Sequence, residues 1–302
     1  MNVDLCQRLE DEISKVYIGK KADVDALVIA LLTGGHVLIE GLPGLAKTTL
    51  ARALAQAVDA KLTRVQFTAD LMPSDITGSS IYNMATGDFK FIEGPIFTNV
   101  LFADEINRAP ARTQSALLEA MQEAQVSVDG NTYMLQTPFF VIATQNTIDE
   151  RGVYSLPLSQ LDRFAFRIRL SYPSAEQEER VIMQAAKPLR VIDPVISPKD
   201  FKEIQAAIDA IYVAPAVGRY ITQIVRATRE HAQVVYGASP RAGVMMLHAA
   251  RGHAFMNKRD YVCPDDVAQI ARYALNHRIE TSSSATTVDE VIDDVLRRVR
   301  FE

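Results

Sequence analysis

Residues 41–48, Gly-Leu-Pro-Gly-Leu-Ala-Lys-Thr, have the types and order needed to hold a polyphosphate. Glycines let backbone N–H groups turn inward around an anion. A lysine directly before a threonine supplies a point charge for β- and γ-phosphates and a hydroxyl for Mg²⁺. Lys47 and Thr48 occupy those places. Ala46 stands where the general pattern has another glycine, so a methyl group must fit close to the phosphate path.

A second group of residues could act on what that loop holds. The apolar run Val100-Leu-Phe-Ala ends in Asp104 and Glu105. At a strand end both side chains can reach one crevice. Asp104 is placed to hold Mg²⁺ through water, and Glu105 to polarise an attacking water as a general base. Asn146 follows another apolar run, Phe139–Thr144, and its amide could orient a water beside a γ-phosphate or simply cap the strand. Arg163 precedes the alternating run Phe166–Leu170; in isolation such an arginine would be a surface ion-pair partner. Arg241 lies in the first turn of the helix that Ser239-Pro240 opens. A cation there opposes the helix dipole unless it faces an anion.

Positioning these groups needs strands that end together and helices that begin there. His36–Glu40 reads as a buried strand before the glycine loop, and Thr49–Ala57 as a helix after it. Upstream, apolar residues at Leu5, Leu9, Ile13 and Val16 predict a helix, a break falls at Tyr17-Ile-Gly19, and Val24–Leu32 is a second helix. Leu62–Phe67 is the next strand. Ser79–Ile92 is a hairpin candidate turning at Thr86-Gly-Asp88, and Asp129-Gly130 marks a clearer one. A helix over Thr113–Ala124 lies between. Beyond Tyr172-Pro173 the pattern changes to helices, with starts at Ser174, Ser197-Pro198, Ser239-Pro240, Cys263-Pro264 and Thr287. The expected division is an α/β domain over 1–173 and a helical one over 174–302.

Composition sets limits on partners. The chain has 302 residues, 48% apolar and 23% charged, as ordinary globular domains do. A net charge of −5 argues against a broad nucleic-acid surface, though not against a local basic pore. No apolar run reaches membrane-span length and the N-terminus lacks a basic signal-peptide start, so cytoplasmic residence is the expectation. Cys6 and Cys263 have no pairing pattern and are expected to be reduced. The five histidines form no metal signature.

Together these residues resemble those of the MoxR-type AAA+ ATPases over nearly the whole chain. Residues 41–48 match that family's Walker A motif, the alanine included. Ala103-Asp-Glu-Ile-Asn-Arg-Ala109 resembles its Walker B region, Ala143-Thr-Gln-Asn146 its sensor 1 strand, Leu161-Asp-Arg-Phe164 its arginine-finger segment and Gly237-Ala-Ser-Pro-Arg-Ala242 its sensor 2. The resemblance implies an αβα P-loop nucleotide-binding domain with a parallel sheet, followed by an all-helical lid. It implies ATP bound by Gly41, Leu42, Pro43, Gly44, Leu45, Ala46, Lys47, Thr48 and Thr49, with Mg²⁺ held by Thr48 and Asp104. Glu105, Asn146, Arg163 and Arg241 take the catalytic roles, Arg163 in a neighbour's site. It also implies a homo-oligomeric ring, usually a hexamer, hairpins lining its pore, a protein client and a partner carrying a von Willebrand factor A domain. Some members assist metal loading or maturation of enzyme complexes. Two positions depart from the family pattern: Thr147, where proline is usual, and Leu158, where an acid is common.

Three functions remain distinct on this reading. One is an ATP-hydrolysing ring that remodels or activates a client. Another is a nucleotide-gated scaffold with little turnover, which would have no need of Glu105, Asn146 and Arg163 together. The third is a nucleic-acid motor or loader, which the acidic charge disfavours.

Overall fold

Strands that are apolar throughout must be covered on both faces, which is the signature of a parallel sheet between helix layers. The structure, a computed structural model, describes residues 3–84, 87–146, 153–186, 191–283 and 285–302. Helices α1 (Val3–Ser14) and α2 (Lys21–Leu32) lead into strand β1 (Val37–Glu40). The glycine loop, α3 (Lys47–Ala57) and β2 (Leu62–Gln66) follow. A short helix, α4 (Pro73–Thr77), precedes an antiparallel hairpin of β3 (Gly78–Asn83) and β4 (Asp88–Glu93). Next come β5 (Val100–Asp104), a 3₁₀ turn over Ile106–Arg108 and α5 (Ala111–Glu123). A second hairpin, β6 (Gln125–Val128) and β7 (Asn131–Met134), turns through Asp129 and Gly130, both at positive φ as a tight two-residue turn demands. β8 (Phe140–Gln145), α6 (Leu158–Leu161) and β9 (Phe166–Arg169) complete this half.

The sheet has the order β2-β5-β8-β1-β9, with every neighbouring pair parallel. Alternation within each strand divides the core in two. Val37 and Ile39, Val100 and Phe102, and Phe140 and Ile142 face the layer containing α1, α2 and α3. Leu38, Leu101, Ala103, Val141 and Ala143 pack instead with Leu117 and Leu118 of α5. From β1 the chain crosses to the β2 edge, and only β9 lies on β1's other side. The crevice at the carboxyl end of β1 is thus a topological switch point, where ligands of open α/β sheets bind.

After β9 the chain forms α7 (Ala175–Ala185), α8 (Pro198–Asp209) and α9 (Pro215–Glu230), then β10 (Val234–Tyr236), α10 (Pro240–Met256), α11 (Pro264–Leu275), β11 (Glu280–Thr281) and α12 (Val288–Arg298). The helix starts follow the capping chemistry. Ser174, Ser197 and Thr287 each accept from the backbone N–H three residues on, and the residue there returns a bond to the cap's own N–H. The helices are joined by a feature too short to read from periodicity, an antiparallel ribbon of β10 and β11. Their apolar faces share one core with α1–α3: Met246 of α10, Ile270 of α11 and Ile292 of α12 belong to the same cluster as Leu27 and Ile29 of α2. Close approach of α10 to α2 requires a glycine, because a Cβ on Gly252 would sit 2.8 Å from Thr33 Cγ2. Among the described residues, no helix is long and apolar enough to cross a membrane.

Candidate nucleotide site

The glycine loop turns at the end of β1 and hands its last residue to α3. Gly41 is buried, and a Cβ there would press on Leu170, just past β9, at 3.1 Å, so the close approach of the loop to this segment favours glycine. Gly44 has φ 81°. Ala46, at φ 56° and ψ 25°, is the N-cap of α3 and takes the left-handed conformation a glycine would favour. It supplies no side-chain cap, so the first N–H groups of α3 keep their capacity for an anion. Lys47 folds back over the loop, donating to Gly41 O at 2.7 Å and reaching Gln145 O at 3.5 Å. Burial lowers its ammonium pKa, while the charges of Asp104 and Glu105 pull it back up. Thr48 and Thr49 follow in the first turn of α3.

Register aligns the acids with the loop. β8 lies between β1 and β5, pairing Glu40 with Gln145 and Ala103 with Ala143. Asp104, at the end of β5, accepts from Thr144 Oγ1 at 2.6 Å and from Arg64 Nη2 at 2.7 Å. Glu105 leaves the strand at φ 57° and ψ 52°, and its N–H donates to the same Thr144 hydroxyl at 2.8 Å. Its carboxylate turns toward β2, accepting from Gln66 Nε2 at 2.7 Å and pairing with Arg108 at 3.2 Å. Thr144 is fully buried and ties both acids to the neighbouring strand. Sequence reasoning passed over Thr144, Gln66 and Arg64. Their signal was their place on the strands beside β5, visible only once strand order is known.

Asn146 comes directly after β8, half-buried, on the strand between the loop and the acids. Thr147 lies outside the described residues. Leu158 opens α6, with Pro157 as its N-cap.

The two arginines lie elsewhere. Arg163 precedes β9, whose Phe166 pairs with Val37 at the start of β1; the phosphate loop follows Glu40 at the other end of that strand. Arg163 Nη1 donates to Leu118 O of α5 at 2.9 Å, and its Nε is buried without a hydrogen-bond partner. Arg241 is the second residue of α10 and exposed. The structure therefore gathers Lys47, Asp104, Glu105 and Gln145 into one crevice and leaves Arg163 at the opposite end of the strands.

A cavity of about 250 Å³ opens beside the loop, lined by Tyr17, Ile18, Gly19, Pro43, Leu45, Leu170, Tyr172 and Gln177 among others. Its wall is the break between α1 and α2. A side chain at Gly19 would collide with the Tyr17 ring, and Gln177 Nε2 donates to Gly19 O at 3.3 Å, tying α7 to that turn. The cavity adjoins the phosphate loop through Pro43, Gly44, Leu45 and Ala46. The Tyr17-Ile-Gly19 break was legible as a break, but its part in a pocket was not, because Leu170 and Gln177 are far away in sequence.

Comparison with known proteins agrees with this geometry. The ATPase family associated with various cellular activities (AAA) matches residues 36–166, and its lid domain matches 226–298. Chaperone MoxR1 of Mycobacterium tuberculosis is 39% identical over 303 aligned positions, spanning 97% of this chain and 80% of its own. The Bacillus subtilis protein YeaC is 42% identical, spanning 96% and 92%. A crystal structure from Cytophaga hutchinsonii, assigned provisionally as an ATPase, superposes with a TM-score of 0.91 at 39% identity, covering 100% of this chain and 96% of the other. The chain belongs to the MoxR-type AAA+ ATPases.

Proposed function

We propose that the protein hydrolyses ATP in a homo-oligomeric ring, a hexamer, and uses the cycle to remodel or activate a protein client. The observation that carries the reading is the crevice itself: a lysine and an uncapped helix start at one strand end, with two carboxylates on the next strand but one. The purine enters the cavity beside Tyr17 and Leu170. Lys47 exchanges Gly41 O for the β- and γ-phosphates, and the N-terminus of α3 receives the remaining charge. The hard oxygen donors of Thr48 and Asp104 suit Mg²⁺, which when bound would neutralise negative charge on the β- and γ-phosphates. Glu105 accepts the proton of the attacking water, and Asn146 orients that water. Before it can do so, the Glu105 carboxylate leaves Gln66 and Arg108.

Arg163 supports the ring. Its position at the far end of β1 suits a guanidinium that serves a neighbour's triphosphate, where it stabilises charge developing on the γ-phosphoryl oxygens. The client side has support in the β3–β4 hairpin, whose Tyr82, Met84 and Phe89 are 51%, 91% and 73% exposed. Large apolar side chains at a hairpin tip are suited to gripping a polypeptide. A partner with a von Willebrand factor A domain, a role in metal loading and cytoplasmic residence belong to the same reading.

Phosphate release measured against protein concentration tests the proposal. Specific activity should rise with concentration. Glu105→Gln should bind ATP and turn over roughly 10²–10⁴-fold more slowly, because the amide keeps the shape and loses the base. A loss below tenfold would reject Glu105 as the base.

A further inference from the structure

The segment carrying Arg163 is held by one carboxylate that also holds the start of α10. Asp162 Oδ1 accepts from Arg278 Nε at 2.6 Å, and Asp162 Oδ2 accepts from Ser239 Oγ at 2.8 Å. Ser239 is the N-cap of α10, two residues before Arg241. Arg278, just past α11, is buried and fastens the segment further, donating to Phe164 O at 2.6 Å and Ala165 O at 3.1 Å. Burial lowers the Arg278 pKa, Asp162 opposes that, and the positive charge of Arg241 is near enough to lower it further. Arg278, paired with Asp162, thus lies near Arg241, and Arg163 follows Asp162 directly in the chain. That excess of positive charge suits an approaching polyanion.

We infer that Asp162 is a positioning residue that yokes Arg163 and Arg241 into one unit, presented to the triphosphate of the neighbouring subunit. The inference rests on the ring reading above. Neither arginine shares an element with the chain's own phosphate loop. The hydroxyl of Ser239 is the link that makes α10 move with the Arg163 segment. Arg163 leaves Leu118 O to act, and the link keeps its segment and α10 in one arrangement as it does, so less ordering is left for the neighbour's γ-phosphoryl group to impose.

The test separates the two sides of a subunit junction. Lys47→Ala subunits supply the arginines and Arg163→Ala subunits supply the phosphate loop, so mixed rings regain activity at the junctions between them. Ser239→Gly removes the hydroxyl and is tolerated at an N-cap. Placed on the Lys47→Ala subunit, it should lower the recovered kcat roughly 10–100-fold, the usual effect of a small misplacement. Placed on the Arg163→Ala subunit, it should have no effect, and ATP affinity should be unchanged in both. Ser239→Thr should restore the rate. Asp162→Asn, with folding checked by thermal melting, should show the same asymmetry. Equal effects from both placements, or none from either, would overturn the yoke while leaving the ring intact. If mixing without Ser239→Gly restores nothing in co-assembled rings, the trans-acting arginines and the yoke fall together.

Discussion

Ala46 stands where a third glycine is usual, and its backbone allows the consequence of replacing it to be worked out. Its φ of 56° and ψ of 25° lie in the left-handed region, which costs an L-residue about 1–2 kcal/mol. Ala46→Gly removes that cost. Against it stands the greater chain entropy glycine loses on folding, about 0.5–1 kcal/mol. The alanine methyl is exposed, so no buried contact is lost, and glycine is preferred to alanine at an N-cap. The balance is a gain of about 0.5–1 kcal/mol. For 302 residues this raises the thermal midpoint of the nucleotide-free protein by about 1–2 °C. Gly44→Ala is the converse. Nothing lies within 4 Å of an added Cβ, so the φ of 81° alone should lower the midpoint by a similar amount. ATP affinity of Ala46→Gly, by titration calorimetry, should weaken a few-fold at most, since a looser loop must be ordered on binding. A lower midpoint for Ala46→Gly would refute the assignment of backbone strain to this residue.

Two other outcomes follow from contacts in the core and crevice. Gln66→Ala frees the Glu105 carboxylate from one charge-assisted hydrogen bond, worth about 1 kcal/mol at this half-exposed place, so basal phosphate release should rise about fivefold; a fall would mean that Gln66 helps turnover. His36 is fully enclosed, donating from Nε2 to Met121 O at 3.0 Å and accepting from Val141 N at 3.1 Å, and burial lowers its pKa to about 4. The unfolded chain takes up that proton near pH 6.5, whereas the native state does so only near 4, so stability falls on acidification through this window. The loss is about 3 kcal/mol from His36, and buried His277 adds to it. Denaturant midpoints at pH 7 and 4.5 should show the slope, and His36→Gln should flatten it; an unchanged slope would contradict the buried neutral imidazole.

Local chemistry was legible because each signal is contiguous. The glycine loop, the Asp104–Glu105 strand end, the Asp129-Gly130 turn and the Ser174 and Thr287 caps each depend on residues within one turn or strand, and the structure has them where the sequence places them. What escaped depends on contacts between distant segments. Thr144 matters because β8 lies beside β5, and Gln66 because β2 does. Ser239 and Asp162 meet across 77 positions. The β10–β11 ribbon is likewise a pairing between three residues and two, below the reach of any periodicity.

The trans-acting Arg163 is the claim on which the ring depends, and mixing two inactive variants tests it most directly. Lys47→Ala subunits keep Arg163 and lose the phosphate contact; Arg163→Ala subunits keep the phosphate loop. Each alone should release phosphate at background level. Co-assembled, they should regain activity at those junctions where an intact loop meets an intact Arg163, with the recovered rate following the mixing ratio. Demonstrated co-assembly without any recovery, or wild-type activity independent of concentration from a protein monomeric throughout, would contradict the account.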